Sequence, residues 1–192
     1  MSLTLIIGPM FAGKSSAIIR IVNRHRCIRT PILLISHSSD NRYGADDTVT
    51  NHDSLSIPCK KSSTLKDFVN IPDYSNAKLI IIEESQFFPD LKQFVLHAVE
   101  EDHKDVYVVG LDGDADRRPF GQVLDLVPYA DKITKLKAFC SMCCDGTEAL
   151  FSYCKARELK QGQVCVGGEE MYTPLCRKHY VERMKAAHAY EI

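Results

Sequence analysis

The residues Gly8-Pro9-Met10-Phe11-Ala12-Gly13-Lys14-Ser15 constrain this chain more than any other feature. They fill every fixed position of the GxxxxGK[ST] pattern, in which the backbone N–H groups of a glycine-rich loop wrap a polyphosphate. The pattern carries weight only between a strand and a helix. Here the apolar run 3–7 precedes it and a helix-like stretch, 13–25, follows. The loop residues Gly8 to Gly13 are expected to surround the phosphates of ATP, backed by the positive end of the helix dipole. Lys14 is expected at the β- and γ-phosphates, and the Ser15 hydroxyl is offered to Mg²⁺.

Four more runs, 32–36, 79–83, 106–110 and 133–136, are rich in Ile, Leu and Val with little alternation. That is the pattern of parallel strands covered on both faces. Helix-like stretches at 64–70, 90–101 and 121–127 fall between them. Alternating strands and helices imply right-handed βαβ units. The expected fold is α/β, a P-loop NTPase-like parallel sheet with helices on both faces, plus a small zinc-binding subdomain. After about Lys137 the βα alternation stops, which divides the chain into 1–137 and 138–192, the second part closed by a helix at 180–189.

The run Leu79-Ile80-Ile81-Ile82 ends in Glu83 and Glu84. Ligand sites in open α/β sheets lie beyond the carboxyl ends of the strands, so both acids are expected to face the phosphates. Glu83 fits the acid that holds Mg²⁺. Glu84 is then placed to accept a proton from an attacking hydroxyl. A solvated strand end is the plain alternative.

Cys140-Ser141-Met142-Cys143 is a CxxC and Cys176-Arg177-Lys178-His179 a CxxH. Two such knuckles give a Cys₃His tetrahedron, a closed structural Zn²⁺ site. Cys144 could stand in for Cys143, and redox chemistry at the CxxC is a further alternative. Cys27, Cys59, Cys154 and Cys165 read as small apolar residues.

The formal net charge of −1 argues against a nucleic-acid partner. No apolar run approaches the roughly 20 residues of a membrane span. The first residues, Met1-Ser2-Leu3-Thr4, lack the basic segment of a secretory signal. These features point to an intracellular, cytoplasmic protein with no membrane partner and reduced cysteines.

Three segments together resemble one family. Gly8 to Ser15, Glu83-Glu84-Ser85-Gln86-Phe87-Phe88-Pro89-Asp90, and Arg117-Arg118-Pro119-Phe120-Gly121 with its Leu-Val-Pro-Tyr-Ala-Asp continuation look like the zinc-containing thymidine kinases. The knuckles, the Gly167-Gly168 pair and Tyr172 are similar too, so the resemblance runs over about 3–183. It implies ATP-dependent phosphorylation of the 5′-hydroxyl of thymidine, with ATP and nucleoside as partners and a homotetrameric assembly. It also implies that Glu84 is the catalytic base and that Asp40 and Arg42 meet the 5′ end and the phosphates. Phe87, Phe120 and Tyr172 would line the base pocket, where Ser152 takes the place of a threonine. The segment 147–171 would close over the base as a lasso, with backbone groups near Val164, Val166 and Gly167 reading the pyrimidine edge. Taken alone, Phe87, Phe120 and Tyr172 read as ordinary packing and Arg42 as a solvated charge.

The sequence departs from the family pattern at Glu83 (usually Asp), at Ala12 inside the loop (usually Ser), at Ser16 in the helix after it (usually Thr), and at Ala115, where an aromatic is usual. Glu83 is one methylene longer, which alters how it meets Mg²⁺. Ala115 takes side-chain volume from the base pocket and would weaken thymidine binding or broaden the bases accepted. Two other readings stay open from the sequence: a pseudoenzyme or regulatory subunit of the same fold, and a P-loop ATPase acting on nucleic acid.

Overall fold

A computed structural model describes residues 1–39, 47–50, 54–156 and 170–189. The expected site residues Asp40, Arg42, Val164, Val166 and Gly167 lie outside the described residues.

In chain order the first part forms β1 (Ser2–Ile7), α1 (Lys14–Arg26), β2 (Ile32–His37), β3 (Thr48–Thr50), β4 (Ser56–Pro58), β5 (Lys60–Ser62), α2 (Pro72–Asn76), β6 (Leu79–Ile82), α3 (Leu91–Leu96), β7 (Asp105–Gly110) and β8 (Lys132–Lys135). Six of these strands make one sheet in the order β5-β2-β6-β7-β1-β8. Every pairing within it is parallel. The short β3 and β4 pair antiparallel beside it.

Side chains leave the strands alternately, so the four inner strands β1, β2, β6 and β7 feed two cores. Leu3, Leu5, Ile7, Ile80, Ile82, Val106 and Val108 pack on one face with Leu91, Phe94 and Val95 of α3. Ile6, Leu34, Leu79, Ile81 and Val109 pack on the other with Ala17, Ile18, Ile19 and Val22 of α1. The central strand β6 is buried along its whole length. Each of its side chains is worth roughly 1.5–3 kcal/mol on burial. This two-sided covering is why the strands read as unbroken apolar runs.

The strand bounds hold within a residue or two, but β8 is mostly exposed at the sheet edge instead of covered on both faces. The stretch 121–127 is a 3₁₀ helix over Leu124–Tyr129 and not an α-helix, and further details differ. A sixth strand, β5, sits at the sheet edge and was not expected. The stretch 64–70 is not a helix; it holds only the 3₁₀ turn Lys66–Phe68. There the Asp90 carboxylate accepts the Leu65 and Lys66 N–H groups at 3.1 and 2.9 Å, capping that turn. The stretch 90–101 is α-helical over α3 and continues as the π-helical turn His97–Glu101.

The second part forms β9 (Ala138–Phe139), β10 (Glu148–Ala149), β11 (Phe151–Cys154), β12 (Tyr172–Leu175) and α4 (Arg177–Ala189). β9 pairs with β10 and β11 with β12, both antiparallel. α4 starts earlier than the expected Tyr180, because the second knuckle is itself its first turn. Ala138, Ala149, Leu175 and Tyr180 make a small core here. Phe11 and Ala12 of the phosphate loop pack against it, so the alanine that replaces a serine in the loop meets an apolar neighbour. The cysteines among the described residues are free thiols. No helix among the described residues is long and apolar enough to cross a membrane.

Candidate active site

β1, β2, β6 and β7 all end on the same edge of the sheet, and the phosphate loop leaves β1 there. α1 begins behind it with Gly13 as N-cap in the left-handed region, no side-chain cap and no acid in its first turn. Its leading N–H groups and dipole therefore favour an anion. The Lys14 ammonium donates to the carbonyls of Pro9 and Gly8 at 2.7 and 3.3 Å. That holds its charge at the mouth of the loop.

β6 and β1 are not neighbours; β7 runs between them. Their acidic and phosphate-binding ends still meet. The Ser15 hydroxyl donates to Glu83 Oε1 at 2.8 Å, and the Ser36 hydroxyl at the end of β2 lies 3.4 Å from Oε2. The Glu83 carboxylate thus reaches the loop serine. Gly110 at the end of β7 permits this convergence. A Cβ there would lie 2.4 Å from Ser85 Oγ and 2.6 Å from Gln86 Oε1. Bare backbone lets the segment after β6 fold across the strand between.

Glu84 is buried, with φ of 49° in the left-handed region. A non-glycine residue there costs about 1–3 kcal/mol, and such strain clusters at functional sites. Gln86 holds the carboxylate: its Nε2 donates to Glu84 Oε2 at 2.5 Å, while its Oε1 accepts the Leu111 N–H at 3.0 Å. The Gln86 backbone is fixed in turn by Gly121, whose φ is +57° and where a Cβ would sit 2.1 Å from the Gln86 carbonyl oxygen. We expect Gly121→Ala to cost about 2 kcal/mol or more. It should also lower turnover by displacing Gln86. Thermal unfolding beside an activity assay checks this, and a shift of about 5 °C or more is the expected size.

Phe87 is half-buried and meets Phe120 edge-on at 5.4 Å between ring centroids. His37, from the end of β2, lies 5.5 Å from Phe87 and edge-on to Phe88 at 4.8 Å. Burial lowers its imidazole pKa, against a backbone hydrogen bond at Ser63 and the Glu84 charge, which raise it. It therefore acts at neutral pH as an uncharged ring in an aromatic wall. Phe88 is core, at 1% exposure. Tyr172 stands elsewhere, with Met171 against the buried pair Ala115 and Cys154. The position that lacks the expected aromatic is thus packed by a cysteine. Ser152 is buried on β11, and its hydroxyl accepts the Met10 N–H of the phosphate loop at 2.9 Å.

The metal-ligating residues converge. Cys140 follows β9, Cys143 lies in the turn after it, Cys176 follows β12 and His179 is in the first turn of α4. Their ligand atoms all lie within 4.8 Å of one another. The three sulfurs are 3.4, 3.3 and 3.5 Å from His179 Nδ1, and Cys143 and Cys176 are 3.9 Å apart. A tetrahedron with Zn–S of ~2.3 Å and Zn–N of ~2.0 Å has S–N edges of about 3.5 Å and S–S edges of about 3.8 Å. The donor set therefore fits zinc through Nδ1. Cys144 is exposed and hydrogen-bonds the Ser141 carbonyl at 3.2 Å, outside the cluster. Burial and the neighbouring Cys140 push the Cys143 thiol up to about 11. A cation is what allows such crowded thiols to ionise together.

Sequence reasoning missed Ser36, His37, Gln86, Gly110 and Tyr180. Gln86 alone carried a visible signal: an amide two residues beyond a pair of acids, inside an apolar stretch.

A family model described as Thymidine kinase matches residues 1–180. The chain is 42% identical to the thymidine kinase of Oryza sativa over 182 residues, which are 93% of this chain and 65% of the rice protein. It is 39% identical to thymidine kinase a of Arabidopsis thaliana, over 92% of this chain and 74% of that one. It is also 39% identical to the thymidine kinase of variola virus, over 93% of this chain and 96% of the viral protein.

Proposed function

Given that the chain belongs to the thymidine kinase family, we propose that it transfers the γ-phosphoryl group of ATP to the 5′-hydroxyl of thymidine, a step of nucleotide salvage. The observation that carries this reading is the meeting of Ser15 with Glu83 at one sheet edge, with Glu84 next along the chain. Phosphoryl transfer asks little covalent chemistry of a protein; it needs positioning and charge stabilisation.

Each residue then has a role. The N–H groups of Gly8 to Gly13 cradle the phosphates, and Lys14 balances charge on the phosphoryl group as it moves. Ser15 and Glu83 would hold the divalent ion, taken as Mg²⁺, which supplies further charge neutralisation when bound. Glu84, held by Gln86, accepts the proton of the 5′-hydroxyl. Phe87 and Phe120 give the nucleoside an apolar wall. Asp40 and Arg42 at the 5′ end, Ser152 and Tyr172 at the base, and the backbone of Val164, Val166 and Gly167 on its polar edge follow from the family resemblance. We treat 1–137 as the phosphoryl-transfer part and 138–192 as the zinc-bearing part that closes over the nucleoside and excludes water.

The same reading places the protein in the cytoplasm as a homotetramer. Val127, Tyr129 and Ile133, at and before the edge strand β8, are exposed and apolar, a surface that self-association would cover.

The test is a panel of deoxynucleosides offered with ATP and Mg²⁺. Thymidine, with deoxyuridine next, should be phosphorylated fastest. Preferred turnover of a purine deoxynucleoside would break the substrate assignment and point to Ala115. Hydrolysis of ATP without transfer to any nucleoside would break the kinase reading itself.

A further inference from the structure

The zinc knuckles and the aromatic wall are joined by one side chain that the mechanism does not use. Tyr180, directly after the ligand His179 on α4, is fully buried. Its hydroxyl donates to the backbone carbonyl of Ala115 at 2.7 Å, across 65 residues of chain. The Arg117 guanidinium lies over the same ring at 4.7 Å, and Arg117 has φ of 64°. A non-glycine residue holds that conformation only where its surroundings fix it. The loop between β7 and Gly121 is thus clamped to the zinc-bearing part.

The loop is stiff along its length. The buried Asp114 carboxylate accepts the Asp116 and Arg118 N–H groups at 2.8 and 2.9 Å. Gly113 and Pro119 form an isolated bridge. A displacement at Ala115 is therefore carried to Phe120, the ring that meets Phe87. Ala115 itself packs on Cys154, beside Met171 and Tyr172. Of the aromatic groups expected around the nucleoside base, Phe120 is carried by the loop that Tyr180 holds and Tyr172 packs against it at Ala115.

We propose that Tyr180 is a positioning residue for the nucleoside: through its hydrogen bond to Ala115 it ties the zinc-bound end of α4 to the loop carrying Phe120. The inference rests on the thymidine kinase reading above. It separates the two substrates, because the hydroxyl meets only the Ala115 carbonyl of the nucleoside-side loop, whereas Phe11 and Ala12 of the phosphate loop pack on the core to which the Tyr180 ring belongs.

The test compares the wild-type chain with Tyr180→Phe, which keeps the ring and removes only the hydroxyl. Zinc content should stay the same. The KM for thymidine should rise about threefold to tenfold, the range that one neutral hydrogen bond carries. The KM for ATP and turnover at saturating thymidine should be retained. Arg117→Gln, which removes the cation over the ring, should move the same constant in the same direction and serves if Tyr180→Phe folds poorly. An unchanged thymidine KM in both variants, or equal rises for thymidine and ATP, overturns the proposal. A wild-type chain that phosphorylates no nucleoside would instead overturn the functional reading on which it rests.

Discussion

Replacing Glu84 by Gln should lower turnover by about 10²–10⁴-fold, the usual contribution of a positioned general base. The side chains are nearly the same size, so the buried site at the end of β6 keeps its shape. The amide cannot take the proton of the 5′-hydroxyl. ATP binding should be retained, because the proposal gives the phosphates to the loop between β1 and α1 and the divalent ion to Ser15 and Glu83. The KM for ATP should therefore change little while kcat collapses. Steady-state kinetics on thymidine check this. A Glu84→Gln enzyme with near wild-type turnover would assign the base elsewhere, with the neutral His37 the nearest alternative.

The second large effect concerns the metal. Structural zinc contributes about 10–16 kcal/mol of apparent binding energy to small sites of this kind. Here the ligands close the ends of two antiparallel strand pairs and the first turn of α4. Cys176→Ser, or removal of zinc by a chelator, should unfold much of 138–189. Losing only about 1.4 kcal/mol of nucleoside binding is tenfold in affinity, so the KM for thymidine should rise by at least that much. The KM for ATP should rise less, though not by nothing: Phe11 and Ala12 pack on the small core that includes Cys140 and Cys176, and Ser152 accepts the Met10 N–H. Zinc analysis with kinetics in both substrates measures the difference. A larger rise for ATP than for thymidine would contradict this arrangement.

Much of the architecture could be read from residues in order. The loop from Gly8 to Ser15 carries its own context, and strands covered on both faces announce themselves as unbroken apolar runs. The two knuckles are spaced as ligands must be. What stayed hidden depends on partners distant in sequence. β5 is three residues long and polar, so no apolar period marks it. The stretch 64–70 has helical composition but forms a single 3₁₀ turn, capped by the Asp90 carboxylate from 24 and 25 residues away, a partner that only the fold brings into place. Gln86 and Gly110 matter only because the segment after β6 crosses the end of β7. Tyr180 beside a zinc ligand gives no hint that its hydroxyl ends on Ala115.

Glu83 illustrates the reverse case, a departure visible in the sequence whose consequence needed coordinates. The longer acid could have pointed away from the phosphate loop. Its carboxylate instead takes hydrogen bonds from Ser15 and Ser36, the arrangement an ion-holding acid needs.

The most direct measurement follows the label from γ-labelled ATP in the presence of Mg²⁺ and thymidine, for the wild-type chain and for Glu84→Gln. The account predicts label in thymidine 5′-monophosphate, one ADP formed per nucleotide made, and almost no transfer in the variant. Label released as inorganic phosphate, with thymidine left untouched, would contradict it.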